Sequence, residues 1–187
     1  VTTLVTAMLE ASGLVAVDAG NTPTPLVAAL EDPSVDVFVV EASSFRLGHS
    51  RHFAPAVGVW LNFAPDHLDV HADLGGYEAA KARIWRDQTP DQVAVANRED
   101  PVVMAHATGP ARVVTYGPGG DYRVEDGRLV GPDGPIVEVD HMWRSLPHDV
   151  SNSLAAAAAA HAAGASIEGI ATTLTTFVGL GHRGSPV

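Results

Sequence analysis

The chain has 187 residues, a formal net charge of −11, no cysteine and 46% hydrophobic residues. That length suits about one domain with a sizeable core. The acidic balance, without any basic run, argues against nucleic acid or an anionic membrane surface as a partner. The absence of cysteine rules out disulfides and thiolate metal sites, and no apolar run reaches the ~18 residues of a membrane span. The lack of cysteine makes a cytoplasmic protein the expectation; no charged-then-apolar leader opens the sequence, and Val1 in place of methionine suggests a fragment or a processed chain.

Val1 to Ala11 spaces Leu4, Val5, Met8 and Leu9 as a helix does, with Gly13 just past its end. Leu14 to Val17 reads as a short strand leading into the turn cluster Gly20–Pro25, and Pro25 to Leu30 suits a short helix. Asp36 to Glu41 is a continuous apolar run ending on a carboxylate. Such a run predicts a strand covered on both faces, as in a parallel sheet, and an acid at its carboxyl end is well placed for Mg²⁺.

Val57 to Leu61 is the next predicted buried strand, and it delivers the stretch from Leu61 to Trp85. Asp66, His67, Asp69, His71 and Asp73 crowd together there, followed by a helix capped by Asp73 that buries Tyr77, Ala80, Ile84 and Trp85 and carries Lys81. A strand, a polar loop and a helix in this order put the cluster in the crevice where open α/β sheets bind ligands. Imidazole beside carboxylate can hold a divalent cation or move a proton. A solvated loop of turn-forming residues is the plainer reading.

Val93 to Ala96 and Ala111 to Tyr116 are further strands, with a turn at Asn97–Pro101 and a helix from Val102 to Ala107 between them. From Asp121 to Val139 the pattern changes to short strands at Tyr122–Val124, Arg128–Val130 and Ile136–Val139, with Asp126-Gly127 and Asp133-Gly134 as turn pairs. This predicts a small antiparallel meander, residues 121–139, appended to a mostly parallel sheet flanked by helices. Ala155 to Ala160 forms the core of a helix beginning near Pro147, and Ser166 caps a last one running to Phe177. The expected fold class is α/β, in one domain over residues 1–187.

Asn62, the run Pro65-Asp66-His67-Leu68-Asp69 and the run Tyr77-Glu78-Ala79-Ala80-Lys81 resemble the Mur ligase family, ATP-dependent enzymes that add amino acids to the UDP-linked peptidoglycan precursor. Glu41-Ala42-Ser43-Ser44-Phe45 is most similar to the branch that adds D-glutamate to UDP-N-acetylmuramoyl-L-alanine. The resemblance implies the family's central, ATP-binding domain, with a fold like that of P-loop nucleotide hydrolases. It implies a monomer in which the substrate carboxylate attacks the γ-phosphate of ATP and the amine of D-glutamate then displaces phosphate from the acyl phosphate.

By the same resemblance Glu41, His67 and a carbamylated Lys81 hold Mg²⁺, with His67 and Lys81 as the catalytic pair. Asn21 and Ser43 face the substrate, and Asn152, Asp149 and Arg183 face the nucleotide. Asp149 departs from a family asparagine; an ionised aspartate accepts hydrogen bonds but cannot donate them. The family's Gly-Thr-x-Gly-Lys-Ser/Thr-Thr loop does not occur in these residues, nor do the family's first and third domains. The isolated chain is therefore expected to be catalytically silent. A non-catalytic nucleotide-binding or assembly module and another member of the family remain as alternatives, with a metal-dependent hydrolase resting on the Asp/His cluster alone.

Overall fold

The computed structural model describes residues 1–21, 26–66 and 71–177. Two parallel sheets share a helical cover. In the first, β1 (Ala16–Gly20) pairs with β2 (Val37–Glu41), Ala16 opposite Val37 and Gly20 opposite Glu41. In the second, β3 (Val57–Trp60), β4 (Val93–Asn97) and β5 (Arg112–Tyr116) lie in that order. The connections run through α1 (Thr2–Ala11) ahead of β1, α2 (Leu26–Ala29) and α3 (Ser44–His49) around β2, α4 (Leu74–Arg86) after β3 and α5 (Pro101–His106) after β4. Parallel strands need such crossovers, because a tight hairpin can only reverse the chain.

The core forms where α1, α6 (Pro147–Ala162) and α7 (Ile167–Thr176) close over the sheets. Met8, Leu9, Ile170 and Leu174 are fully buried, with the six alanines Ala155–Ala160 of α6 beside them. Alanine suits both the helix and the tight approach. Gly169 of α7 sits so close to α1 that a Cβ there would meet Ser12 Oγ at 2.2 Å. A smaller cluster under β3 and β4 joins Trp60, Trp85, Ala96 and Val103, with the rings of Trp60 and Trp85 5.6 Å apart.

The meander is an independent antiparallel sheet of β6 (Arg123–Glu125), β7 (Arg128–Gly131) and β8 (Gly134–Glu138). Asp126 and Gly127 both take positive φ, 48° and 77°, which gives the right-twisted reversal that a two-residue hairpin needs. Gly134 belongs to β8, so the second reversal is Pro132-Asp133 rather than Asp133-Gly134. Tyr122 ties the meander to the body: its hydroxyl meets His161 Nδ1 of α6 at 2.6 Å.

Two elements differ from expectation. The first strand lies at Ala16–Gly20, not Leu14–Val17, because the Asp36 carboxylate captures the Val15 N–H at 2.9 Å and parallel pairing starts beyond it. Helix α3 was not foreseen. Ser43 caps it, accepting from the Arg46 N–H at 3.3 Å, but six residues with Gly48 inside offer little apolar periodicity to read. No helix among the described residues is long and apolar enough to cross a membrane.

Candidate functional site

Because the strands of each sheet are parallel, the residues that leave β1, β2 and β3 emerge at carboxyl edges. Gly20, with φ 101°, lies against β2 so tightly that any Cβ would sit 2.5 Å from the Glu41 carbonyl oxygen. That approach places Asn21 on Glu41: the Asn21 N–H donates to the Glu41 carbonyl at 2.9 Å and Asn21 Nδ2 donates to Glu41 Oε1 at 3.1 Å. Both side chains are exposed. The sequence reading put an amide and an acid here for separate reasons, and the structure joins them.

The end of β3 is fixed by its neighbours' side chains. Trp85 Nε1 donates to the Gly58 carbonyl, and Tyr116 Oη and Asn97 Nδ2 both donate to the Leu61 carbonyl, each at 2.8 to 2.9 Å. Trp60 Nε1 donates to the Asn62 carbonyl at 2.9 Å. One step further the Phe63 N–H donates to Asp100 Oδ2 at 2.6 Å, while Asp100 Oδ1 caps α5 through the Val102 and Val103 N–H groups. The backbone is thus held up to Phe63. His67, the expected imidazole ligand and catalytic partner, lies outside the described residues.

Helix α4 carries Lys81 to a wall shared with Leu61 and Asn62. Asp73 caps the helix by accepting from the Gly76 N–H at 2.7 Å, and Tyr77, Ala80 and Trp85 are its buried residues, as expected; Ile84 is only half-buried. Lys81 lies one turn after Tyr77, its Nζ 5.3 Å from the ring centroid and within 3.5 Å of the hydroxyl. Burial lowers the Lys81 pKa below its ordinary value, and the negative charges of Asp100 and Asp66 oppose that shift. Burial dominates, so the neutral amine forms more readily than on a surface lysine.

Glu41 and Lys81 both line a cavity of about 590 Å³ that Asn62 and Ser44 also border. Ser43, the expected substrate contact, caps α3. Its neighbour Ser44 is the one that borders the cavity, with its hydroxyl 2.9 Å from His71 Nε2. The sequence reading missed Ser44 and Tyr77. Tyr77 was legible as the i, i+4 neighbour of Lys81 on one helix face.

The expected nucleotide residues stand apart from that cavity. Asp149 and Asn152 lie in the first turns of α6, and only Ala159 and Ala163, farther along, border the cavity. Asn152 is exposed. Asp149 does not cap the helix; Leu146 holds the cap position, and Asp149 accepts from Arg144 Nε at 3.1 Å, with Arg144 stacked on Trp143. Arg183 lies outside the described residues. Among the described residues no three histidine or acidic side chains converge as a ready metal site.

A parallel α/β domain whose strand ends offer an acid, an amide and a shielded amine around an apolar cavity belongs to the class that binds ligands at the carboxyl edge of its sheet. The chain belongs to the Mur ligase family: the model for the Mur ligase middle domain matches residues 1–160. It is 36% identical to the UDP-N-acetylmuramoylalanine–D-glutamate ligase of Pelotomaculum thermopropionicum over 97% of this chain and 42% of that protein. Against the ligase of the same name from Shouchella clausii the identity is 40%, over 97% of this chain and 42% of the relative. The chain thus spans less than half the length of these relatives. In fold it matches the structure of a UDP-N-acetylmuramoyl-L-alanyl-D-glutamate–2,6-diaminopimelate ligase with a TM-score of 0.76 at 22% identity, over 97% of this chain and 44% of that one.

Proposed function

We propose that residues 1–187 form the central, ATP-binding domain of a ligase that joins D-glutamate to UDP-N-acetylmuramoyl-L-alanine in the cytoplasm, a step in peptidoglycan precursor synthesis. The observation that carries this is that Glu41, Asn62 and Lys81 border one cavity, with Asn21 hydrogen-bonded to Glu41, in a chain 36–40% identical to relatives bearing that name. The reaction needs little acid–base work from the protein. It needs the carboxylate and the γ-phosphate held in line and the phosphate charge neutralised.

The residues fit Mg²⁺ and a carbamate. Lys81, kept partly from water, offers a neutral nitrogen lone pair that can attack CO₂; an N–C bond forms as one C=O π bond opens onto oxygen, and the nitrogen loses a proton to water, leaving an anionic carbamate. That carbamate, Glu41 and His67 would then supply the hard oxygen and imidazole donors for Mg²⁺. The metal's contribution when bound is to neutralise charge on the phosphoryl oxygens. Asn21 orients Glu41 through its 3.1 Å hydrogen bond and, with Ser43, faces the substrate. Asn152, Asp149 and Arg183 contact the nucleotide, with Asp149 acting as an acceptor held by Arg144.

The test is a chimera in which these residues replace the aligned segment of the Frankia casuarinae ligase, which this chain matches along 100% of its length. The chimera should release phosphate from ATP only when UDP-N-acetylmuramoyl-L-alanine is present, and should form amide with D-glutamate but not with diaminopimelate. Amide formation with diaminopimelate instead would assign the chain to another member of the family. A folded chimera without ATP-dependent ligation would favour a non-catalytic module.

A further inference from the structure

Helix α3 is tied at both ends to α4 and the residues that lead into it. At its carboxyl end Arg83 Nη1 of α4 donates to the Gly48 and Ser50 carbonyls at 2.6 and 3.1 Å. At its amino end Ser44 Oγ meets His71 Nε2 at 2.9 Å. Ser44 follows Glu41 by three residues, and His71 precedes Asp73, the cap of α4, by two. The second tie therefore joins the exit of the strand that carries Glu41 to the entry of the helix that carries Lys81. Ser44, Glu41 and Lys81 all border the same cavity.

The imidazole of His71 is itself set by packing. Its ring lies on Tyr77 with centroids 5.2 Å apart, and Tyr77 lies in turn on Phe63 at 5.3 Å. Tyr77 is buried and the Phe63 N–H is held by Asp100, so the His71 ring rests on an anchored floor with Nε2 towards Ser44. A serine hydroxyl can donate or accept, so either neutral tautomer of His71 makes this bond. Glu41 takes its orientation from Asn21 Nδ2, and Lys81 lies against Tyr77. Each functional side chain thus has its own local guide. What sets one against the other is the separation of the two segments, and the Ser44–His71 bond spans it.

We infer that Ser44 and His71 are a positioning pair: their hydrogen bond holds the exit of β2 against the entry of α4 and so sets the spacing of Glu41 and Lys81 at the cavity. The inference deepens the ligase reading and rests on it, because the pair has an object only if those two side chains act together. Neither Ser44 nor His71 is asked to touch substrate or metal. Mg²⁺ demands near-ideal octahedral ligand geometry, so it responds to a small change of spacing that the fold tolerates. Ser44 and His71 are both half-buried, and one such bond adds little to global stability. Groups that orient metal ligands, by contrast, govern affinity by about tenfold to a hundredfold.

The experiment uses the full-length chimera and Mn²⁺ as a paramagnetic substitute for Mg²⁺, with binding read by electron paramagnetic resonance beside a non-hydrolysable ATP analogue, so that nothing turns over. Ser44→Ala and His71→Phe remove the bond, the second keeping a ring on Tyr77. Ser44→Thr and His71→Gln keep a hydroxyl and a side-chain nitrogen at similar reach. Each removal should weaken Mn²⁺ binding by about tenfold or more, and each conservative variant should bind within about twofold of the parent. The double removal should cost no more than either single one, since both delete the same bond. Hydrogen exchange of the metal-free protein over residues 72–78 should rise about tenfold in the removal variants, which reads the tie without metal or substrate. Arg83→Met, which frees the far end of α3, should lower Tm without that loss of affinity. Removal variants that bind Mn²⁺ as tightly as a ligating parent would overturn the inference and leave the ligase reading standing. So would unchanged exchange over residues 72–78, or equal weakening by Arg83→Met, which would mean loosened packing alone. A parent chimera that folds yet neither binds Mn²⁺ nor ligates would overturn both.

Discussion

At the scale of single residues, Lys81 is where chemistry and stability meet. Its pKa is depressed in the fold by burial, so the unfolded chain binds the proton more tightly than the native one. Stability carries a penalty at low pH that is relieved as pH rises from the native pKa towards the ordinary value of 10.5. Thermal unfolding from pH 7 to pH 10 should therefore show Lys81→Met gaining stability over the parent at neutral pH, with the gap narrowing as pH rises. A gap that widens would mean that the charged form is favoured in the fold. Asp149 gives a second prediction at this scale. Asp149→Asn restores a donor and releases Arg144 from a half-buried ion pair, so in the ligase chimera the KM for ATP should fall about fivefold or more. An unchanged KM would place Asp149 away from the nucleotide. Sequence alone could name Asn21 and Glu41 but not their contact, because the register that pairs Gly20 with Glu41 belongs to the tertiary structure.

At the scale of elements, two joints position the site. Asp100 caps α5 and also accepts from the Phe63 N–H, linking the loop after β3 to the start of α5. Asp100→Ala should lower stability by about 1–2 kcal/mol, the usual cost of a lost cap, and amide exchange at Phe63 should accelerate. Protection at Phe63 that survives the substitution would show the loop held by other contacts. The second joint is α1 against α7. Gly169→Ala drives a methyl into Ser12 Oγ and, at 3.0 Å, into the Ser12 backbone nitrogen, so urea unfolding should show a loss of about 1–3 kcal/mol, as for other overpacked sites. Adding Ser12→Ala should recover only part of it, since the backbone remains; full recovery would locate the whole clash on the hydroxyl. Helices α1, α4, α5 and α7 were legible because each combines a cap or stop residue with apolar periodicity. Helix α3 was not, since Ser43 and Phe45 read equally well as a turn.

At the scale of the whole molecule, apolar runs at 36–41, 57–61, 93–96 and 111–116 announced parallel strands, and the aspartate–glycine pairs announced the meander. What they could not announce is that β1–β2 and β3–β4–β5 form separate sheets, because each run specifies burial but not its neighbour. Glu41 and Lys81 border one cavity, whereas Asp149 and Asn152 lie outside its walls. Nothing in the spacing of residues 41, 81 and 149 distinguishes these outcomes; the crossovers through α4 and α6 do.

The most direct test of the central claim is amide formation from ATP, UDP-N-acetylmuramoyl-L-alanine and D-glutamate by the chimera and two of its variants, Glu41→Gln and Lys81→Arg. Lys81→Arg keeps a cation but cannot form the carbamate, and Glu41→Gln keeps the shape but not the charge. The account predicts that each variant folds as the parent does and loses about a hundredfold or more in rate, while Arg128→Ala on the meander changes nothing. Full activity in both site variants would contradict it, because the cavity that Glu41 and Lys81 border would then not be where the bond is made.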